Sequence, residues 1–85
     1  MAKVEIYTGN WCGFCTAAKR LLKQKGTKFT ETNVHDDTTK RAEMTQRSNG
    51  GRTVPQIFIG GKHIGGCDDL FDLERAGKLD QLLSA

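Results

Sequence analysis

Polar and apolar positions alternate with period two at the start of the chain, where Lys3-Val4-Glu5-Ile6-Tyr7-Thr8 reads as a strand. Gly9-Asn10 turns the chain. From Cys15 the spacing becomes helical: Ala18, Leu21 and Leu22 recur among Lys19, Arg20 and Lys23, and Gly26 ends the run. Phe29 to Val34 predicts a second, less apolar strand. His35-Asp36-Asp37-Thr38 leads into a helix from Thr39 to Arg47, capped by Asp37 or Thr38 and stopped by Ser48-Asn49-Gly50-Gly51. Gln56-Ile57-Phe58-Ile59 is the most apolar strand, and Gly60-Gly61 folds it back on Lys62-His63-Ile64 as a hairpin. Beyond Gly65-Gly66, Asp68-Asp69 opens a helix bearing Leu70, Phe71 and Leu73. Gly77 stops it, and a short helix from Leu79 to Leu83 covers one end of the core.

The first strand, helix and second strand make a crossover unit with parallel strands, and the terminal hairpin adds an antiparallel pair. The expected fold is α/β and thioredoxin-like: a four-stranded mixed β-sheet flanked by helices on both faces. Residues 1–85 form a single domain in this reading. Its core is drawn from Val4, Ile6, Leu21, Leu22, Phe29, Ile57, Ile59, Ile64, Leu70, Leu73 and Leu82.

Composition narrows the setting. Hydrophobic residues at 36% and charged residues at 27% describe a folded chain rather than a disordered one. No apolar run is long enough to span a bilayer. The first strand follows Met1 too closely to leave room for a secretory leader, so the expected location is the reducing cytoplasm. There a Cys-x-x-Cys pair is catalytic or metal-binding rather than structural. The net charge of +3 is spread without a dense basic tract or interleaved aromatics, which argues against nucleic acid. Most of it is solvated surface; the other reading is steering of anionic small molecules or acidic proteins.

The chemistry concentrates in Trp11-Cys12-Gly13-Phe14-Cys15, at the junction of strand and helix. The unpaired N–H groups of a helix start favour a thiolate, so Cys12 is the candidate nucleophile. Cys15, one turn further in, is the thiol that resolves mixed disulfides. Phe14 is either a rim for an organic thiol or a core residue. A zinc site from Cys12, Cys15, Cys67 and His63 is the competing use of the pair, although a second Cys-x-x-Cys is missing. Pro55, the only proline, stands before the strongest strand. A cis Val54–Pro55 bond would free the Val54 backbone to pair with an extended substrate beside Cys12, but composition does not assign the isomer. Gly65-Gly66 ahead of a helix capped by Asp68 exposes N–H groups for a carboxylate, while the Asp68 carboxylate suits an ammonium. One amino-acid-like group presents both. Cys67 reads as a nearby non-catalytic thiol, with regulatory oxidation the alternative. His35 and His63 read as surface positions.

Glu5-Ile6-Tyr7-Thr8, Cys12-Gly13-Phe14-Cys15, Thr53-Val54-Pro55-Gln56-Ile57-Phe58-Ile59 and His63-Ile64-Gly65-Gly66-Cys67-Asp68-Asp69-Leu70 together resemble the glutaredoxin family, across essentially the whole chain. The chain is most similar to small bacterial dithiol glutaredoxins. The resemblance implies a glutathione-dependent thiol–disulfide oxidoreductase that reduces protein–glutathione mixed disulfides and protein disulfides. It implies Cys12 as nucleophile and Cys15 as resolving thiol. It further implies that Val54 pairs through its backbone with the cysteinyl part of glutathione, with Pro55 cis and Thr53 alongside. Cys67 and Asp68 would receive the γ-glutamyl end, and Phe14 replaces the family's usual tyrosine.

Two departures stand out. Gly13-Phe14 replaces the usual Pro-Tyr, which makes the motif similar to that of monothiol, iron–sulfur-handling glutaredoxins. The greater freedom of Gly13 in the reduced loop predicts a potential within or above the glutaredoxin range of about −200 to −230 mV. Gly9 stands where a basic residue is common, so the glycyl carboxylate of glutathione is assigned to Arg41, with Lys40 or Arg52 behind it. The expected partners are glutathione and glutathionylated or disulfide-containing proteins, with the enzyme monomeric. The alternatives are a [2Fe–2S] carrier, in which Cys12 from each of two chains and two glutathiones bridge a dimer, and a general thioredoxin-like reductase.

Overall fold

The chain runs β1 (Val4–Thr8), α1 (Gly13–Gln24), β2 (Thr30–Asn33), α2 (Thr38–Arg47), β3 (Gln56–Ile59), β4 (Lys62–Gly65), α3 (Cys67–Arg75) and α4 (Leu79–Ser84) in a computed structural model that describes residues 2–85. The sheet order is β2-β1-β3-β4. β2 lies parallel to β1, with Tyr7 beside Thr32, as a strand–helix–strand crossover requires. β3 pairs antiparallel with both β1 and β4, and Ile6 stands opposite Ile57. This is the thioredoxin-like mixed sheet that the element order predicts.

The two central strands are buried on both faces except at Glu5, and apart from Glu5, Thr8 and Gln56 they present apolar or aromatic side chains. Val4, Ile6, Ile57 and Ile59 point to one face and meet Leu22 of α1, Leu70 of α3, and Leu79 and Leu83 of α4. Leu79 and Leu83 take the place expected for Leu82, which packs only at the margin, as do Phe29, Ile64 and Leu73. The α4 helix reaches back far enough for the Ala2 N–H to donate to the Leu83 carbonyl (3.1 Å). α1 ends as its glycine requires: Gly26 has φ +68°, and the Thr27 N–H returns to the Leu22 carbonyl (3.2 Å).

The opposite face carries a second cluster, Tyr7, Val34, Met44 and Phe58, that the expected core omits. α2 is polar along most of its length and contributes one fully buried side chain, Met44. Its start is fixed by Asp37, whose carboxylate accepts the Lys40 N–H (2.9 Å). Its end contributes Arg47, whose guanidinium lies 4.1 Å from the centre of the Phe58 ring. The same group donates to both Glu5 carboxylate oxygens (3.1 Å each) and to the Tyr7 hydroxyl (2.8 Å). Tyr7 in turn donates to Glu43. A planar, bidentate cation thus closes an apolar cluster that is too small to close itself.

This network carries a pH dependence. The Arg47 guanidinium holds the Glu5 carboxyl below its ordinary range, and the Thr8 hydroxyl, helped by Lys19, does the same for Glu31. A depressed carboxylate stabilises the fold above the unfolded value of about 4.3, and that stabilisation is lost as pH falls through the folded value. Urea unfolding midpoints are therefore expected to fall between pH 6 and pH 3, on the order of the usual carboxylate range. Glu5→Gln should flatten part of that fall; an unchanged slope would show that Glu5 carries none of it.

Candidate active site

Cys12 is the N-cap of α1, with extended backbone (φ −110°, ψ 102°). Its sulfur accepts the Cys15 N–H at 3.1 Å, one of the donors that a helix start leaves unpaired. The Cys12 carbonyl is taken by the Thr16 N–H (3.1 Å), so the cap is anchored on both sides. Cys12 and Cys15 are joined as a disulfide, with Cα atoms 5.2 Å apart. Their exposures differ in the direction that the chemistry needs. Cys12 is half-buried and reachable, whereas Cys15 is 2% exposed behind it. An incoming sulfur meets Cys12 first, and in the reduced protein the helix start favours its thiolate. Gly13 is the first helical residue, and a side chain there would touch nothing, so neither close packing nor a left-handed backbone requires glycine at this position.

The facing wall is the segment before β3. The Val54–Pro55 bond is cis, and the Val54 carbonyl oxygen lies 3.8 Å from Cys12 Sγ. The Val54 N–H has no partner among the described residues, so this short backbone edge is unused beside the nucleophile. Gly9 packs against it closely: a side chain there would come within 3.2 Å of Val54 Cγ2. A groove of about 480 Å3 runs along this edge and is lined by Phe14, Thr53, Val54, Pro55, Cys67 and Asp68. Phe14 is 66% exposed and forms its rim rather than core.

The far end of the groove departs from expectation. α3 starts at Cys67 with Gly66 as N-cap, so Asp68 does not cap it. Asp69 does that work, its carboxylate accepting the Gly66 N–H at 3.0 Å. That carboxylate fills the space where a Gly65 side chain would stand, and Gly65 has φ +123°, which only glycine adopts readily. The exchange leaves the Asp68 carboxylate unpartnered among the described residues and at the groove wall, beside the free N–H groups of the α3 first turn. Cys67 is buried, and burial, with Asp68 adding to it, pushes its thiol up. Such a thiol is a poor nucleophile, which runs against regulatory oxidation.

Arg41, expected to hold the glycyl carboxylate, lies outside the groove. It lines a neighbouring depression with Thr38, Thr45 and Arg52, and its guanidinium donates to the Arg52 carbonyl (3.3 Å). The Arg52–Val54 segment separates the two hollows. Lys40 is paired with Glu43 at 3.5 Å. The four side chains considered for zinc do not converge: no group of three His, Cys, Asp or Glu among the described residues is placed to hold a metal ion. His35 packs edge-on to Trp11, which is 92% exposed next to Cys12. Gln56 and His63 also line the groove, the first read in the sequence only as a strand residue and the second as a surface position or zinc ligand. The available signal was a polar residue heading the most apolar strand.

Comparison with known proteins agrees with this geometry. The glutaredoxin family model matches residues 4–64. The chain is 54% identical over 85 residues to a glutaredoxin of Pseudomonas aeruginosa, covering 100% of both chains. It is 54% identical over 83 residues to glutaredoxin 3 of Escherichia coli, covering 98% of this chain and 99% of that one. Among solved structures, a buckwheat glutaredoxin–glutathione complex superposes with a TM-score of 0.88 at 35% identity, covering 98% of this chain and 77% of that chain. A Brucella melitensis glutaredoxin gives a TM-score of 0.85 at 52% identity, covering 98% and 89%. With the dithiol at the helix start and these likenesses along its length, the chain belongs to the glutaredoxin family of thiol–disulfide oxidoreductases.

Proposed function

We propose that the protein is a glutathione-dependent reductase of protein–glutathione mixed disulfides and, through both cysteines, of protein disulfides. The observation that carries this reading is the unpaired Val54 backbone edge, 3.8 Å from Cys12 Sγ, in one groove with the unpartnered Asp68 carboxylate. Glutathione offers a matching set: an amide backbone at its cysteine, and an ammonium and carboxylate together at its γ-glutamyl end. The Val54 edge suits the first, the Asp68 carboxylate the ammonium, and the N–H groups at Cys67 and Asp68 the carboxylate. Thr53 and Pro55 line the same side and Phe14 covers the sulfur. The buckwheat relative was solved as a complex with glutathione, which supports the reading by likeness.

The chemistry then needs two exchanges. The Cys12 thiolate attacks the glutathione sulfur of the mixed disulfide, a new Cys12–glutathione disulfide forms, and the protein substrate leaves as its thiolate. A second glutathione thiolate attacks that glutathione sulfur, releasing oxidised glutathione and restoring the Cys12 thiolate. Cys15 enters only when the substrate disulfide lies within a protein: it attacks the Cys12 sulfur and expels the reduced substrate. The enzyme works as a monomer in this scheme, in a compartment whose thiols are kept reduced, such as the cytoplasm. No helix among the described residues is long and apolar enough to cross a membrane.

A [2Fe–2S] cluster fits the chain less well. Cys12 from two chains and two glutathiones would supply the four thiolates needed, but Cys15 competes for Cys12 within each chain by forming a disulfide with it. No step of the scheme involves a cluster.

Asp68→Ala is expected to raise the KM for glutathione about five- to tenfold, the scale of one charge-assisted contact at an exposed site. Arg41→Ala, if its guanidinium reaches the glycyl carboxylate across Arg52, should raise KM by a smaller factor, since that group is already shared with the Arg52 carbonyl. Kinetics with a glutathionylated peptide measure both. A KM that ignores Asp68→Ala overturns the assignment, and one that ignores Arg41→Ala moves the carboxylate to Lys40 or Arg52. A general reductase of the thioredoxin kind would leave Asp68 idle and show no saturation with glutathione.

A further inference from the structure

Gln56 heads the most apolar strand yet is only 6% exposed, so both ends of its amide must be satisfied within the protein. They are. Its Nε2 donates to the Thr53 carbonyl (3.0 Å) and approaches Thr53 Oγ1 (3.4 Å). Its Oε1 lies 2.7 Å from Nε2 of His63, on the neighbouring strand β4. Because the amide nitrogen is committed to Thr53, its oxygen faces His63 as acceptor, and His63 must donate from Nε2. The imidazole is steadied in turn by the Phe58 ring, 5.1 Å away between centroids. The same amide closes over Gly51, where any side chain would come within 3.0 Å of Gln56 Nε2 and collide with Ser48 Oγ. Ser48 is itself buried and donates to the Met44 carbonyl (2.7 Å).

We propose that Gln56 is a positioning residue for the Thr53–Val54 backbone, and that His63 anchors the outer end of its amide. The segment between α2 and the cis proline carries no regular secondary structure of its own. Its hold on the sheet at Thr53 is the Gln56 amide. Thr53 and Val54 share a trans peptide, so tying its carbonyl inward turns its N–H, that of Val54, the opposite way, toward the edge that meets Cys12. The Thr53 carbonyl prevents the amide from rotating end for end, since a flipped amide would face oxygen against oxygen there, and His63 holds the amide oxygen from the other side. Neither residue touches the reacting sulfurs. The consequence for turnover rests on the glutathione reading of the Val54 edge given above; the consequence for the backbone does not.

The test separates the two. Gln56→Met keeps the shape and removes both hydrogen bonds, and His63→Ala removes only the outer one from an exposed position. With a glutathionylated peptide, Gln56→Met should raise the KM for glutathione roughly three- to tenfold, the scale of a lost buried hydrogen bond, while kcat stays within about twofold because Cys12 and its cap are untouched. His63→Ala should move KM in the same direction by less. In 15N spectra of the oxidised protein, the Val54 amide should shift in both variants, and wild-type His63 should show the Nε2–H tautomer. Unchanged KM and an unmoved Val54 amide in Gln56→Met overturn the inference while leaving the glutathione reading intact. Wild-type turnover indifferent to glutathione sinks that reading, and the Val54 amide then decides the positioning alone: shifted supports it, unmoved overturns it. If Gln56→Met fails to fold, His63→Ala supplies the same two readouts.

Discussion

Cys12→Ser is expected to abolish deglutathionylation, with turnover falling ~1,000-fold or more, as when other nucleophiles are deleted. The serine hydroxyl stays protonated at neutral pH and is no substitute for a thiolate. Folding should survive, because serine is a favoured N-cap and can accept the same N–H of Cys15 that the sulfur accepts. Cys15→Ser should behave differently. That side chain is buried behind Cys12 and never meets the incoming mixed disulfide, so activity on glutathionylated substrates should persist. Reduction of protein disulfides by the two-cysteine route should disappear. Parallel assays of the two variants on a glutathionylated peptide and on an intramolecular protein disulfide measure this. Residual deglutathionylation by Cys12→Ser, or its loss in Cys15→Ser, would reverse the assignment of roles.

The largest stability effect should come from Phe58→Ala. Phe58 is 1% exposed and forms the centre of the smaller cluster, meeting the edge of Tyr7 with ring centroids 5.8 Å apart. Removing the ring leaves a cavity and deprives the Arg47 guanidinium of the face on which it lies. A buried Phe→Ala change costs about 3–5 kcal/mol. Against a typical total of about 5–15 kcal/mol, that is a large share of what holds a small domain together. Chemical denaturation at neutral pH should show the loss directly, and a melting temperature lowered by only a few degrees would contradict it. The disulfide pair lies on the far side of β1, so the surviving folded fraction should still react at Cys12.

The larger cluster was legible because its residues repeat at the right spacing on single elements: Val4 with Ile6, Ala18 with Leu21 and Leu22, Ile57 with Ile59. The smaller one was not. It takes one or two residues from each of four segments, and α2 offers only Met44 and the stem of Arg47, too little to show a period. At the site, Cys12, Cys15, Val54 and Pro55 were readable because short motifs carry their chemistry. The exchange of duties between Asp68 and Asp69 was not, since both precede the same apolar run. Which of them caps depends on the φ of Gly65 and on the N-cap of α3 falling two residues early, at Gly66. Gln56 and His63 meet through a cross-strand pairing with a register shift at Ile57 and Phe58, a non-local fact that no window of sequence contains.

The slightness of α2's attachment has a mechanical meaning. α1 and α3 share a broad apolar interface with the sheet, while α2 rests on Met44 and on polar groups at its two ends. Elements with so little apolar anchorage open at a lower free energy than the domain as a whole. The depression that Arg41 of α2 lines with Arg52 is therefore the compliant neighbour of the groove, and the start of α1 that bears Cys12 and Cys15 the rigid one. The chain can thus yield at α2 while the sulfur of Cys12 keeps a fixed place at the start of α1.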